Sequence, residues 1–164
     1  MDNEQIYFSL GSNVGDRKHN LKHALKHLNS NLNIDLISSI YETSPQGYKD
    51  QSNFYNLACS TKKQIDMYEL LGICKEIEIH CGRTSNFING PRILDIDIIS
   101  YGDHLFEKTD LIIPHPRMDS RLFVLIPLAE INPLWVHPKL NVSIEKLIKL
   151  NQNQGEILNI GKLQ

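Results

Sequence analysis

The sequence has few of the features that mark secreted, membrane or nucleic-acid-binding proteins. Its three cysteines form no C-x-x-C pair, and an odd number cannot make a closed disulfide framework. The longest apolar stretch, residues 122–129, is interrupted by Pro127 and is too short to cross a bilayer, and the N-terminus is acidic where a signal peptide would be basic. Seventeen basic residues against nineteen acidic ones give no basic surplus for nucleic acid. We therefore expect a cytoplasmic protein with reduced thiols, and the charge balance leaves open a local basic pocket for a small phosphorylated ligand.

The length and apolar content suit one domain, residues 1–164, and the order of its elements indicates the fold. Strand-like and helix-like segments follow one another as strand, helix, strand, strand, helix, strand, which is the order of a ferredoxin-like split β-α-β unit. We therefore predict an α+β fold with a mainly antiparallel sheet covered by helices. The predicted strands are residues 6–10, 34–41, 54–61, 92–101 and, after a turn at 102–103, 105–107. The predicted helices run from the cap at Asp16 to about 28, from Asp66 to about 81, from 122 to 131, and from about 143.

Three histidines recur at every fourth position of the first predicted helix. This spacing places the imidazoles of His19, His23 and His27 within reach of one metal ion. At 100° per residue they lie away from the leucines of the same helix and beside its lysines. A solvated helix face is the favoured interpretation, and a weak adventitious zinc site is the alternative.

The strongest chemical signal is the run Gly90–Ile99, which reads GPRILDIDII. Asp95 and Asp97 are two apart in a predicted strand, so both point to one face, roughly 6.6 Å apart along the strand. Mg²⁺ would relieve their repulsion, because it binds carboxylate oxygens together with substrate phosphates, and two ions could share the pair. The alternative to a metal site is that both aspartates lie on the solvent-exposed face of an amphipathic strand. Arg92 favours a polyphosphate site, since a guanidinium beside a metal suits phosphate.

Two further sets of residues are less specific. His115, Arg117 and Arg121 surround a stiff turn between Pro114 and Pro116, which is compatible with an anion site or with an ordinary surface turn. Phe54 and Phe123 flank predicted loops, and each could be a core residue or a platform for a flat ligand.

Taken together, these segments resemble the 6-hydroxymethyl-7,8-dihydropterin pyrophosphokinases of folate biosynthesis. The matching pieces occur in family order between about residues 6 and 135, at 10–16, 41–47, 54–56, 78–83, 90–98, 114–118 and 121–128. The run at 90–98 is the most specific of them. The resemblance implies transfer of the β,γ-pyrophosphoryl group of ATP to the hydroxymethyl group of the pterin, with release of AMP.

The resemblance also implies roles for individual residues. It implies two Mg²⁺ ions held by Asp95 and Asp97, ATP as co-substrate, and a monomer whose partners are these small molecules. The implied catalytic residues are Arg83, Arg92, Asp95 and Asp97. The implied pterin-binding residues are Thr43, Ser44, Gln46, Phe54, Asn56 and Phe123. The implied nucleotide-binding residues are Lys75, Glu78, Arg83, Arg92, Ile98, His115 and Arg121.

The sequence departs from the family pattern in one loop and at three positions. Residues 84–89 carry no charge, where relatives usually have a further Arg and a Trp or another basic residue. Asp110, Ile112 and Pro116 stand where relatives often have a basic residue, a hydroxyl and an aromatic. Two other functions remain open: a different Mg²⁺-dependent nucleotidyl or phosphoryl transferase, and a non-catalytic ligand-binding module of ferredoxin-like fold.

Overall fold

A computed structural model describes residues 4–84 and 87–164 of the chain. The acidic start at residues 1–3, and Ser85 and Asn86 of the uncharged loop, lie outside the described residues. The strands are β1 (Ile6–Ser12), β2 (Ile34–Ile37), β3 (Tyr41–Thr43), β4 (Phe54–Thr61), β5 (Asp95–Tyr101), β6 (Phe106–Lys108), β7 (Leu111–Ile113), β8 (Val136–His137), β9 (Val142–Ser143) and β10 (Ile157–Asn159). The helices are α1 (Arg17–Leu32), α2 (Met67–His80), α3 (Leu122–Ile131) and α4 (Ile144–Leu150), and a 3-10 turn spans Met118–Ser120.

The main sheet confirms the predicted α+β fold with an antiparallel sheet. Its strands lie in the order β10-β3-β4-β1-β5, and β2 also pairs with β4. All of these pairings are antiparallel. β4 is therefore central, β1 lies between β4 and β5, and β5, which carries the two aspartates, is at one end of this order.

The helices cover both faces of the sheet, which gives the protein two apolar layers. Ile6, Phe8 and Leu10 of β1 pack with the leucine stripe of α1 and with α2. Tyr7 of β1 and Ile99 of β5 face the other way and pack with α3 and α4. Because side chains alternate along a strand, Asp95 and Asp97 lie on the same face as Ile99. The predicted shared face of the two aspartates is confirmed.

The helix starts follow the predicted capping chemistry. The Asp16 carboxylate accepts a hydrogen bond from the His19 amide at 2.9 Å, and Asp66 accepts bonds from the Tyr68 and Glu69 amides. The predicted end of α1 at residue 28 is four residues early, because the buried stripe continues to Leu32. Among the described residues, no helix is both long and apolar enough to cross a membrane.

Three predicted strands have different bounds or partners in the structure. The segment 34–41 forms two strands, because the Ser38 hydroxyl accepts a hydrogen bond from the Ala58 amide and interrupts the ladder. β5 begins at Asp95 instead of residue 92, since the backbone of Arg92 bonds to Asn13. The return strand after the turn at 102–103 pairs with β7 and not with β5.

Candidate active site

A cavity of about 340 Å³ opens on the α3 face of the sheet. Its floor comes from β1, β4 and β5, and its walls come from residues 43–47, 89–92 and 117–123. Gly11 lies in the floor, where a Cβ atom would come within 3.1 Å of the Asn56 Oδ1 atom and 3.7 Å of the Phe54 ring. A larger residue at position 11 would therefore crowd the cavity floor.

Asp95 and Asp97 both line this cavity, but their carboxylates have different partners. The Asp95 carboxylate receives Arg83 Nη1 at 2.9 Å on one oxygen and Arg92 Nη1 at 2.7 Å on the other. Among the described residues, no donor makes a hydrogen bond to the Asp97 carboxylate, and His115 Nε2 lies 4.0 Å from its Oδ2 atom. Burial, with a further contribution from the charge of Asp95, raises the pKa of Asp97 to about 6. Asp97 is thus an acid without a full set of protein partners.

This donor set suits a hard divalent cation. Two carboxylates on one strand supply oxygen ligands, and a bound cation would relieve their mutual repulsion. The side chain of Asp97 is 31% exposed, so an ion can reach it from the cavity. The chemistry of Asp95 and Asp97 therefore fits Mg²⁺.

Arg83, one of the two arginines that hold Asp95, is itself paired with a buried glutamate. Glu78 of α2 is 1% exposed and accepts a hydrogen bond from the Ile96 amide at 2.8 Å. Its carboxylate also pairs with Arg83 and with Lys75, whose Nζ atom lies 3.2 Å away. Glu78 lines neither of the two cavities beside the aspartates. The structure thus places it as a support for Arg83 and Lys75.

A second cavity of about 250 Å³ lies on the other side of Asp97, which lines both. Lys75, Ile98 and His115 line this second cavity, together with β7 and the turn before the 3-10 segment. Burial and the nearby charges of Arg121 and Arg117 lower the pKa of His115 to about 4. His115 is therefore a neutral imidazole at neutral pH, able to donate one hydrogen bond and accept another.

All six residues predicted to bind the pterin line the first cavity. The Asn56 amide donates to the Thr43 hydroxyl at 2.8 Å, which leaves its carbonyl oxygen directed toward Gly11. Phe123 lies in the first turn of α3, and the Arg121 guanidinium lies 5.5 Å from its ring centroid. Burial and Arg117 lower the pKa of Arg121. The cavity thus combines aromatic walls with an amide and a cationic rim, which suits a flat polar heterocycle with an anionic neighbour.

A family model described as 7,8-dihydro-6-hydroxymethylpterin-pyrophosphokinase (HPPK) matches residues 7–133. The chain belongs to this family. The 2-amino-4-hydroxy-6-hydroxymethyldihydropteridine pyrophosphokinase of Bacillus subtilis is 46% identical over 131 residues, which are 79% of this chain and 78% of that protein. The enzyme of the same name from Aquifex aeolicus is 40% identical, over 81% of this chain and 83% of that one.

Larger proteins also contain a region that matches this chain. The folic acid synthesis protein FOL1 of Dictyostelium discoideum is 43% identical over 96% of this chain, which spans only 24% of that protein. A crystal structure of Plasmodium falciparum HPPK-DHPS aligns with a TM-score of 0.70 at 18% identity, covering 95% of this chain and 45% of that one. This second likeness supports the ferredoxin-like α+β fold.

The sequence did not predict the residues that join the loops around the first cavity. Asn13 accepts a hydrogen bond from the Arg92 amide at 2.7 Å and donates to the Gln51 carbonyl oxygen at 2.9 Å. Gln51 in turn donates to the backbone oxygen of Asn89 at 2.8 Å. A turn-forming Gly-Ser-Asn segment was the visible signal for Asn13, but the partners 38 and 79 residues away could not be found from local pattern.

Proposed function

We propose that this chain transfers a pyrophosphoryl group from ATP to 6-hydroxymethyl-7,8-dihydropterin. Membership of the HPPK family supports the reaction class, and the names of the Bacillus and Aquifex relatives agree with it. The observation that carries the proposal is the position of Asp97 between two cavities, one with aromatic walls and one lined by Lys75 and His115.

The two cavities accommodate the two substrates on either side of the aspartates. The pterin lies in the first cavity between Phe54 and Phe123, and each stack contributes roughly 0.5–1.5 kcal/mol beyond simple burial. Thr43, Asn56 and the segment 44–46 bind the edge of its ring. The nucleotide lies in the second cavity beside Ile98, with Lys75 and His115 at its polar end. This arrangement brings the hydroxymethyl group and the triphosphate together above β5.

In the transfer step the pterin hydroxyl oxygen forms a bond to the β-phosphorus of ATP. The bond from that phosphorus to the oxygen bridging the α-phosphate breaks, AMP leaves with this oxygen, and the hydroxyl proton passes to water. Two Mg²⁺ ions at Asp95 and Asp97 would neutralise charge on the triphosphate. Arg83 and Arg92 hold Asp95 in place, and Arg92 and Arg121 reach the cavity where phosphate oxygens arrive. Positioning and charge stabilisation account for most of the catalysis in such transfers.

The setting of the reaction is also proposed. Cys59, Cys74 and Cys81 are free thiols, which suits a reducing compartment such as the cytoplasm. A monomer suffices for this chemistry, because both cavities are lined by residues of one chain.

The identity of the adenosine product, AMP or ADP, distinguishes pyrophosphoryl transfer from ordinary kinase chemistry. The purified chain, ATP, the hydroxymethyl-dihydropterin and Mg²⁺ should yield AMP and the pterin diphosphate in equal amounts, measured by chromatography and phosphorus NMR. A pterin lacking the hydroxyl is the matched control and should give no AMP. Release of ADP would indicate ordinary kinase chemistry, and an unchanged mixture would reject the proposed function.

The aromatic wall separates this function from a generic nucleotidyl transferase. We expect Phe123→Ala to raise the KM for the pterin about tenfold while leaving the KM for ATP near its original value, because stacking and burial are lost on one side. Phe106→Ala is the control, since Phe106 contacts Tyr68 edge-to-face and does not line the first cavity. Equal changes in both KM values would count against a pterin site at Phe123.

A further inference from the structure

Three histidines from two helices meet where α1 packs against α2, and none of them lines either cavity beside the aspartates. His23 and His27 lie on α1, and His80 is the last residue of α2. Their ring nitrogens lie within 4.8 Å of one another. The interpretation of the α1 stripe as a fully solvated face is therefore incomplete, because α2 packs against it and leaves His23 and His27 only partly exposed. His19 remains exposed, as predicted.

The distances within this cluster match those of a metal site. A tetrahedral Zn²⁺ ion with Zn–N bonds of about 2.0–2.1 Å holds its ligand nitrogens about 3.3 Å apart. His23 Nε2 lies 3.2 Å from His27 Nε2, so this pair already has the spacing of two ligands on one ion. His80 is exposed at the end of its helix, and a rotation of its side chain can bring the third nitrogen closer.

Cys81 is placed to orient one of these ligands. Its Sγ atom lies 3.3 Å from His23 Nδ1, the ring nitrogen that faces away from His27. With Nε2 bound to an ion, Nδ1 carries the proton and donates to sulfur, which fixes the tautomer and the ring orientation. Hydrogen bonds of this kind to the second nitrogen are a regular feature of histidine metal ligands.

We propose that His23, His27 and His80 form a binding site for a divalent transition-metal ion of the Zn²⁺ class, with water as a fourth ligand. Imidazole nitrogens favour Zn²⁺, Ni²⁺, Cu²⁺ and Co²⁺, whereas the Asp95 and Asp97 oxygens suit Mg²⁺. The site is therefore chemically distinct from the proposed catalytic one, and the inference does not rest on the proposed function.

The bound ion has a structural consequence for the end of α2. It joins the middle of α1 to the last residue of α2, two residues after Glu78 and three before Arg83. An ion that binds the folded chain and not the unfolded one raises stability according to its concentration relative to Kd. The ion thus stabilises the end of α2, close in sequence to Glu78 and to Arg83, which bonds to Asp95.

The binding test uses the full chain without an affinity tag, in excess Mg²⁺ to occupy the aspartates. Calorimetric titration with Zn²⁺ should show one equivalent bound, and a hundredfold excess of free Zn²⁺ over Kd should raise Tm by about 5–10 °C. His27→Ala and His80→Ala should each abolish both effects. His104→Ala is the matched control, because it removes a histidine that contacts Tyr101 edge-to-face and is not one of the three clustered histidines. This variant should bind as the original chain does. Binding that survives in both cluster variants, or no binding at all, overturns the proposal.

Cobalt spectroscopy tests the role of Cys81 separately. Co²⁺ in the site should give visible bands without an intense sulfur-to-metal charge-transfer band, since the thiol bonds to His23 and not to the ion. Cys81→Ala should retain the site with an affinity about 10–100-fold weaker, as expected on loss of an orienting partner. A charge-transfer band that disappears in Cys81→Ala would contradict the assigned geometry.

Discussion

Two carboxylates on the α3 side of the sheet have opposite surroundings, and the contrast separates a structural acid from a functional one. Glu130, near the end of α3, accepts hydrogen bonds from the Ser39 amide and hydroxyl, the Tyr41 hydroxyl at 2.8 Å and Lys162 Nζ at 2.8 Å. Asp97 receives no hydrogen bond from the described residues. Burial alone would raise the pKa of Glu130, but its donors outweigh burial and lower it, whereas the pKa of Asp97 is raised to about 6. The fold satisfies one acid and leaves the other available to a ligand.

Removing the charge of Asp97 should have the largest effect on activity and little effect on folding. We expect Asp97→Asn to lower kcat by roughly 10³-fold, since charge stabilisation at a metal-phosphate site accounts for several kcal/mol. Its Tm should not fall, because the substitution removes repulsion with Asp95 and breaks no hydrogen bond. Steady-state AMP formation and thermal unfolding measure the two effects. Asp103→Asn, in an exposed turn, is the control, and a large drop in Tm for Asp97→Asn would make it a structural residue.

The Arg92→Ala variant tests whether Asp95, the aspartate that has protein partners, also depends on its surroundings for activity. Arg92→Ala removes the 2.7 Å hydrogen bond to Asp95 and a positive charge from the cavity. We expect kcat to fall by about 10²–10³-fold, as for other preorganised donors. Arg17→Ala is the matched control, because Arg17 lies over the Tyr55 ring and lines neither cavity. Near-normal turnover in Arg92→Ala would reduce Arg92 to a scaffold role.

Glu130 should show the reverse pattern, a loss of stability with activity retained. Glu130→Gln keeps the shape of the side chain but weakens its bonds to Lys162, Tyr41 and Ser39. We expect a loss of about 1–2 kcal/mol, or a Tm lower by about 2–8 °C, with kcat unchanged. Glu145→Gln is the control, because that acid forms an exposed ion pair with Lys149 and should leave Tm unaltered. A fall in kcat for Glu130→Gln at a temperature where the variant is fully folded would show that Glu130 also contributes to activity, which contradicts its structural role.

The smallest expected effect is the loss, at acid pH, of the contribution that Glu130 makes to the stability of the fold. The folded-state pKa of Glu130 lies below its ordinary value of 4.5, so its stabilisation is fully present above pH 4.5 and is lost as the pH falls through the folded pKa. The difference in Tm between the original chain and Glu130→Gln should therefore be constant near neutral pH and shrink below pH 4.5. Thermal melts from pH 7 to pH 3 measure it. If the difference in Tm stays constant down to pH 3, the negative charge of Glu130 does not account for its contribution to stability.

The sequence predicted the features that depend on residues close together in the chain, and it did not predict those that depend on distant residues. Alternation along one strand was enough to place Asp95 and Asp97 on a common face, and a local cap was enough to start α1 at Asp16. Helical periodicity could not show that His80 comes from another helix to meet His23 and His27. Nor could it find the partners of Glu130, which lie 91 and 32 residues away at Ser39 and Lys162.

The loss of strand at residues 92–94 has the same physical origin. A run of apolar and β-branched residues predicts strand as far as Arg92, but the Asn13 side chain competes for the Arg92 amide. A distant side chain can thus replace a ladder partner, and intrinsic propensity gives no sign of it. The cavity walls were predicted through the resemblance of Phe54, Asn56 and Phe123 to family positions, whereas their packing depends on the register of β3, β4 and β1.

The amide of Asn13 has a consequence for engineering. Its contacts to Arg92 and Gln51, and the bond from Gln51 to Asn89, bind three chain segments into one unit. Arg92 contributes its backbone N–H and Asn89 its backbone oxygen, so a loop of another sequence keeps both bonds wherever its backbone follows the same path. The side chains of Asn13 and Gln51 have no such substitute, and an exchange of loop 89–92 should therefore retain these two residues.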